Sequence, residues 1–167
     1  MKMFTQAEFN AMPIEAGIKQ CPGGDYRNVD IANQRCSFGD GCSFEGCRFG
    51  DVCSFGAWCS FGKGCSFGEG CRFEGCSFGK GCSFEGEEAK EGQPYIAIDG
   101  AGSVARKSYF FNLKSGIRVR SGCFVGSLQE FRRKVLDDCE PMEIKALQYL
   151  GMANIAAVTF GYPEMVE

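Results

Sequence analysis

Cysteine is the residue type with the most chemistry to offer in this chain, and its spacing is regular. The 167 residues include 12 cysteines, nine of them at positions 36, 42, 47, 53, 59, 65, 71, 76 and 82, in steps of six or five. Thiols at short intervals serve as metal ligands, as disulfides or as small apolar filling. Metal sites are built on close pairs such as Cys-x-x-Cys, and the sequence contains none. An even ladder therefore reads as reduced thiols filling a core, ahead of iron–sulfur or zinc binding and of disulfides. Cys21, Cys123 and Cys139 lie outside the ladder and are the candidates for a nucleophile, a role that needs a base or a lowered pKa and some exposure. Their plainer reading is as buried thiols of the flanking segments. Histidine is absent, so the one side chain whose ordinary pKa lies near neutrality is missing. No catalytic residue, metal or cofactor is assigned.

Two other groups stand out. Positive charge clusters at Arg106, Lys107, Arg118 and Arg120. Arg118 and Arg120 share a strand face by period two, and with the backbone amides of the Gly-rich stretch 99–103, "DGAGS", they make a candidate phosphate cradle. Solvated strand charges are the competing reading. Trp58 is the single tryptophan and stands where the repeat described below usually has glycine or another small residue. It is the candidate partner contact, since aromatics are enriched in interfaces; packing on a cap competes. Asp40, Glu45, Asp51, Lys63, Glu69, Glu74, Lys80 and Glu85 hold further outward positions, and their mixed signs read as solvation.

The elements that position these residues follow from the ladder. A phenylalanine sits two residues after each ladder cysteine, giving a unit Phe-Gly-x-Gly-Cys-Ser. Cys and Phe two apart share one face of a strand, with Ser or Arg between them on the other. Glycines on either side of the variable residue suit a corner with positive φ. Strict repetition at so short a period marks a solenoid. The unit resembles the hexapeptide repeat of left-handed parallel β-helices, which implies three sides, about eighteen residues per coil and about three coils here. The steps of five, at "FEGCR" (44–48) and "FEGCS" (73–77), resemble instead the four-sided pentapeptide repeat. Steps of six outnumber them six to two, which favours three sides. Hexapeptide enzymes are mostly acyltransferases that use a histidine base, and their carbonic-anhydrase relatives bind zinc through histidines. Without histidine both routes are closed in their usual form.

The expected organisation is an N-terminal cap over 1–35, a solenoid over 36–86 and an α+β element over 87–167 that closes its far end. Thr5-Gln6-Ala7-Glu8 and Ser127-Leu128-Gln129-Glu130 read as capping boxes, each opening a helix, the second running to about Asp138. "YIAI" (95–98) reads as a strand, "SYFFNL" and "IRVRSGCFVG" as a hairpin about Lys114-Ser115-Gly116, and about Met142–Ala157 as a last helix. After its first strand this element is expected to run ββαα. "CPGGDY", the "CSFG" repeats and "VRSGCFVGSLQEFRRKV", in that order, resemble a family of uncharacterised bacteriophage and prophage proteins. The resemblance implies a phage origin, with no established activity.

The net charge of −3 argues for neither a nucleic-acid coat nor an acidic DNA mimic. No apolar run is long enough for a bilayer, and the N-terminus lacks the apolar core of a secretory signal. These features place the expected protein in the host bacterial cytoplasm. Its expected role is a non-catalytic phage accessory protein that binds a host protein or a nucleotide-like small molecule, most simply against host defence. A transferase working without histidine and a structural virion or assembly protein are the alternatives. A homo-oligomer is expected, a trimer first, because the β-helix family resembled commonly trimerises.

Overall fold

Alternation of Cys, Ser and Phe is obeyed by rung after rung of the first part of the chain. The computed structural model describes residues 1–31, 34–73, 75–102 and 106–167, and divides into two compact units, Met1–Ala89 and Lys90–Glu167. The first unit opens with helix α1 (Gln6–Asn10) and the antiparallel pair β1 (Ile14–Glu15) and β2 (Ile18–Cys21). The rungs follow as β3 (Cys36–Phe38), β4 (Ser43–Phe44), β5 (Arg48–Phe49), β6 (Ser54–Phe55), β7 (Ser60–Phe61), β8 (Ser66–Phe67), β9 (Arg72–Phe73), β10 (Ser77–Phe78) and β11 (Ser83–Phe84). Each rung pairs in parallel with the third one along the chain, giving the stacks β2-β3-β6-β9, β4-β7-β10 and β5-β8-β11. The result is a three-sided β-helix of about four turns. The ladder begins at β2, before Cys36, so the first coil draws in residues that read as cap in the sequence. At the far end β12 (Glu87–Glu88) turns back antiparallel on β11.

The register explains the steps of five. Stacked residues lie 17 apart where a coil contains a short step, as in Ser43 over Ser60, and 18 apart where it does not, as in Asp51 and Glu69. A short corner thus shortens one coil by a residue without adding a side. The corner at Glu45 closes on Gly46, whose φ is +62°, and Gly75 holds the equivalent place at φ +58°, while Glu74 itself lies outside the described residues.

Inside, the phenylalanines form three columns. Phe38, Phe55 and Phe73 stack with centroids 5.3 and 5.4 Å apart and planes within 1° of parallel. Phe44, Phe61 and Phe78 stack at 5.1 Å, as do Phe49 and Phe67. Neighbouring columns meet edge to face, as at Phe61 and Phe67, 4.8 Å apart and 90° inclined. Both geometries let the positive edge or offset face of one ring meet the negative face of another. Tyr26 continues the second column at 5.6 Å from Phe44, Phe4 stacks on Tyr26 at 4.8 Å, and Phe9 of α1 meets it edge-on. The Thr5–Glu8 capping box is formed, so α1 is fixed over the open end of the core.

Where a corner has two glycines, they have different jobs. Gly64 sits at φ +69°, where a side chain is strained. Gly79 has ordinary φ, but a Cβ there would stand 2.8 Å from the carbonyl carbon of Gly62 in the coil below. The sequence reading gave both the first job.

The second unit holds a four-stranded antiparallel sheet, β13 (Tyr95–Ala101), β14 (Arg106–Leu113), β15 (Gly116–Ser121) and β16 (Phe124–Ser127), then helices α2 (Leu128–Asp138) and α3 (Ile144–Thr159). After its first strand it therefore runs βββαα. The stretch read as one strand, 117–126, breaks at the turn Gly122–Cys123, where Gly122 takes φ +62°. Phe110, Ile117 and Val119 on one sheet face pack with Phe131 and Val135 of α2 and with Ala153 and Ala157 of α3. Burial of this face contributes about 25 cal/mol per Å² of apolar surface. Among the described residues, no helix is long and apolar enough to cross a membrane.

Candidate functional site

The ladder thiols are packing groups that also close backbone polar atoms. Cys36, Cys42, Cys47, Cys53, Cys59, Cys65, Cys71 and Cys82 are buried; Cys76 is half-buried. Their sulfurs donate to corner carbonyls, Cys42 to Gly39 at 3.2 Å, Cys71 to Gly50 at 3.3 Å and Cys82 to Gly62 at 3.5 Å. Alanine would fill similar space but leave those carbonyls short of a donor. In the stacked pairs Cys42 with Cys59 and Cys65 with Cys82, the neighbouring sulfur and then burial push Cys42 and Cys65 up; burial pushes Cys47 up. A neutral thiol is a poor nucleophile and a poor ligand. Among the described residues no group of three or more Cys, Asp or Glu is placed to hold a metal ion.

The thiols outside the ladder go three ways. Cys21 is buried and takes a phenylalanine's place, in register with Phe38. Cys36 beside it and burial push its thiol up. Cys139 is buried in the second unit's core, and Cys123 is exposed in the Gly122–Cys123 turn. The cysteine position below Cys36 belongs instead to Lys19, which is 4% exposed. Its Nζ donates to the carbonyls of Phe9 and Asn10 at 3.1 and 3.2 Å, satisfying the C-terminal end of α1. Nothing in the sequence separated Lys19 from solvent-facing lysines.

The structure brings part of the cationic cluster together. Cross-strand register sets Arg118 beside Phe111 and Arg120 beside Tyr109, and alternation puts Lys107 on the same face. Arg120 lies over the rings of Tyr109 and Phe111, 5.0 and 5.3 Å from their centroids, and Lys107 pairs with Asp99 at 3.4 Å. Arg106 falls on the opposite face, its guanidinium where a Cβ on Gly122 would stand. The expected cradle thus has three of its four cations on one face. Ser103 of its Gly-rich turn lies outside the described residues.

Trp58 is the most exposed aromatic of the first unit, at 81%. It occupies the second-glycine position of its corner, with φ +63°, in a column whose other members, Gly41 and Gly75, also have positive φ. The corner is held by the Gly41 N–H donating to the carbonyl of Ala57 at 2.9 Å and by the Ala57 N–H donating to Asp40 Oδ1 at 2.8 Å. The indole neither packs on a cap nor fills the core. Bulky residues visit the left-handed region rarely, and such outliers cluster where function keeps them.

Two open clefts also lie among the described residues. One, of about 440 Å³, is lined by Arg27, Asp30, Glu45 and Arg48 in the first unit; the other, of about 410 Å³, by Gln129, Arg132, Arg133 and Asp137 in the second. Each mixes both signs of charge, and in the first Arg27 is already clasped by Asp25 at 2.6 Å. Compared with family models, with curated proteins and with solved structures, the chain gives no match in any of the three.

Proposed function

We propose that this protein acts by binding rather than catalysis, as a phage accessory protein whose β-helix presents Trp58 to a host protein and blocks it, most simply a component of host defence. The observation that carries this reading is an indole 81% exposed on a corner whose backbone geometry favours glycine. A rigid stack of coils holds that side chain out with little conformational freedom left to lose, which lowers the cost of association. The absence of histidine and the burial of eight of the nine ladder thiols support a non-catalytic role. The phage resemblance supplies the host as the place to look for the target.

The test is affinity capture from infected host lysate with the wild-type chain and with Trp58→Ala, each checked for folding. A protein retained by the wild type and lost by Trp58→Ala supports the reading; a set of partners indifferent to the change removes it. A second reading, a nucleotide-like ligand, draws on Lys107, Arg118 and Arg120 sharing a sheet face that also carries Tyr109. Mass analysis of small molecules carried by the wild type and absent from an Arg118→Ala, Arg120→Ala double variant tests it.

A further inference from the structure

Helix α3 is mostly apolar, with Lys145, Gln148, Asn154 and Thr159 among its polar residues, yet only part of its apolar surface is buried. Ala146, Met152, Ala153, Ala156 and Ala157 face the core of the second unit. On the far side Ile144, Leu147, Ile155 and Val158 are 74%, 49%, 55% and 60% exposed. An amphipathic surface helix carries polar residues there. Lys145 is the single charged residue of α3, and at 100° per residue it lies well off the centre of this stripe.

The spacing of the stripe is what identifies its occupant. Ile144 and Leu147 lie seven and four residues before Gly151; Ile155 and Val158 lie four and seven after it. All five positions fall within an arc of about 80° at 3.6 residues per turn. A pattern that reads the same in both directions about a central glycine complements itself in an antiparallel pair. Crossing two copies at Gly151 sets Ile144 against the partner's Val158, and Leu147 against the partner's Ile155. A Cβ on Gly151 would meet nothing within 4 Å, so the crossing point is open for close approach of two backbones. A two-fold contact of this kind uses the same patch on both chains and closes on itself.

The four stripe side chains expose an apolar patch of roughly 400 Å² per chain, within the range of the largest patches on single chains. Covering it on two copies removes roughly 800 Å² from water before the flanks of the crossing are counted, which places the contact among small, concentration-dependent interfaces. We propose that the chain forms a two-fold homodimer through antiparallel pairing of α3 about Gly151, in place of the trimer that the repeat resemblance implies.

Sedimentation and light scattering of the full chain over a wide dilution series test this. Leu147→Glu and Ile155→Lys each place two charges in the contact and should raise the dimer Kd by about tenfold or more. Combined in one chain they should restore dimerisation, because each new carboxylate then faces the partner's new ammonium. Both positions are half exposed, so circular dichroism and melting should show each variant folded. Gly151→Leu, which wedges the crossing apart without touching the core, gives an independent second variant and should also yield monomers. A wild-type monomer or trimer, a dimer insensitive to these changes, or a double variant that stays monomeric overturns the proposal. So does a monomeric wild type that floats with phosphatidylcholine–phosphatidylglycerol vesicles, which would assign the stripe to a bilayer surface.

Discussion

Replacing Trp58 by glycine and by alanine separates backbone strain from side-chain packing, because both changes remove the indole. At 81% exposure the indole buries about a fifth of its surface, roughly 50 Å², which at 25 cal/mol per Å² is worth about 1 kcal/mol. Both variants lose that amount. Alanine keeps the left-handed backbone of φ +63°, whose cost for a residue with a Cβ is about 1–2 kcal/mol. Glycine removes that cost but adds back about 0.5–1 kcal/mol through its freer unfolded chain. Trp58→Gly should therefore lie within about 1 kcal/mol of wild type and be more stable than Trp58→Ala by about 0.5–1 kcal/mol, a few degrees in melting temperature. In an ordinary strand the order is the reverse. Urea unfolding followed by circular dichroism reads the difference directly. An alanine variant as stable as the glycine variant, or more so, would refute the claim that the corner is strained. Loss of more than about 3 kcal/mol in both would refute the claim that the indole is unpacked, since that is the cost of truncating a buried tryptophan.

In the ladder, Cys65→Ser should cost about 1–3 kcal/mol through a poorly matched buried hydroxyl, and Cys65→Phe more through overpacking, both measured by chemical unfolding. Under native conditions a maleimide should label Cys123 first and Cys76 slowly, with the other cysteines reacting only on unfolding; rapid labelling of Cys42 or Cys65 would contradict their raised pKa values. Acid should loosen the N-terminal end of the β-helix. Arg27 holds the Asp25 carboxyl below its ordinary 3.8, and the Thr5 backbone N–H lowers Glu8 from 4.5 to about 2. Both folded pKa values lie below the unfolded ones, so the stabilisation is full above about pH 4.5 and is lost as pH falls toward 2. Asp25→Asn should flatten its share of that decline in a melting series from neutral pH to pH 2.

The β-helix was legible because each of its devices is written in single residues at fixed spacing. Period two between Cys and Phe dictates what points inward, and the glycines mark the corners. What the sequence did not display were choices made by neighbours in space. Lys19 reads as a surface lysine until register puts it under Cys36, beside the open carbonyls of α1. Gly79 and its equivalents read as turn glycines, but the coil below forbids their side chain. The break at Gly122–Cys123 was hidden by the alternation of Ile117, Val119, Cys123 and Val125, interrupted only by Ser121, and the pairing of β15 with β16 reveals it. The cationic cluster was half legible: period two grouped Arg118 with Arg120, while grouping by nearness in sequence put Arg106 with Lys107, which alternation sends to opposite faces.

Strain alone does not single out Trp58, and the comparison with Val52 shows what does. Val52 holds the same kind of corner at φ +60° and, being β-branched, is the worse fit to it. Its corner survives because the Val52 N–H donates to the carbonyl of Glu69 at 2.7 Å and Asp51 Oδ1 accepts from the Glu69 N–H at 2.8 Å. Corners of this stack therefore tolerate a side chain where the next coil ties them down. Val52 recovers part of its cost by packing, since its Cγ2 lies 3.5 Å from where a Cβ on Gly70 would stand, and it is 44% exposed. Trp58 stands on the other side of such a tie, in which its neighbour Ala57 donates its N–H to Asp40 Oδ1 of the previous coil, and it leaves its far larger ring in water. A strained backbone carrying an unpacked indole shows no compensation inside the first unit, and on the binding reading proposed above that compensation comes from the partner.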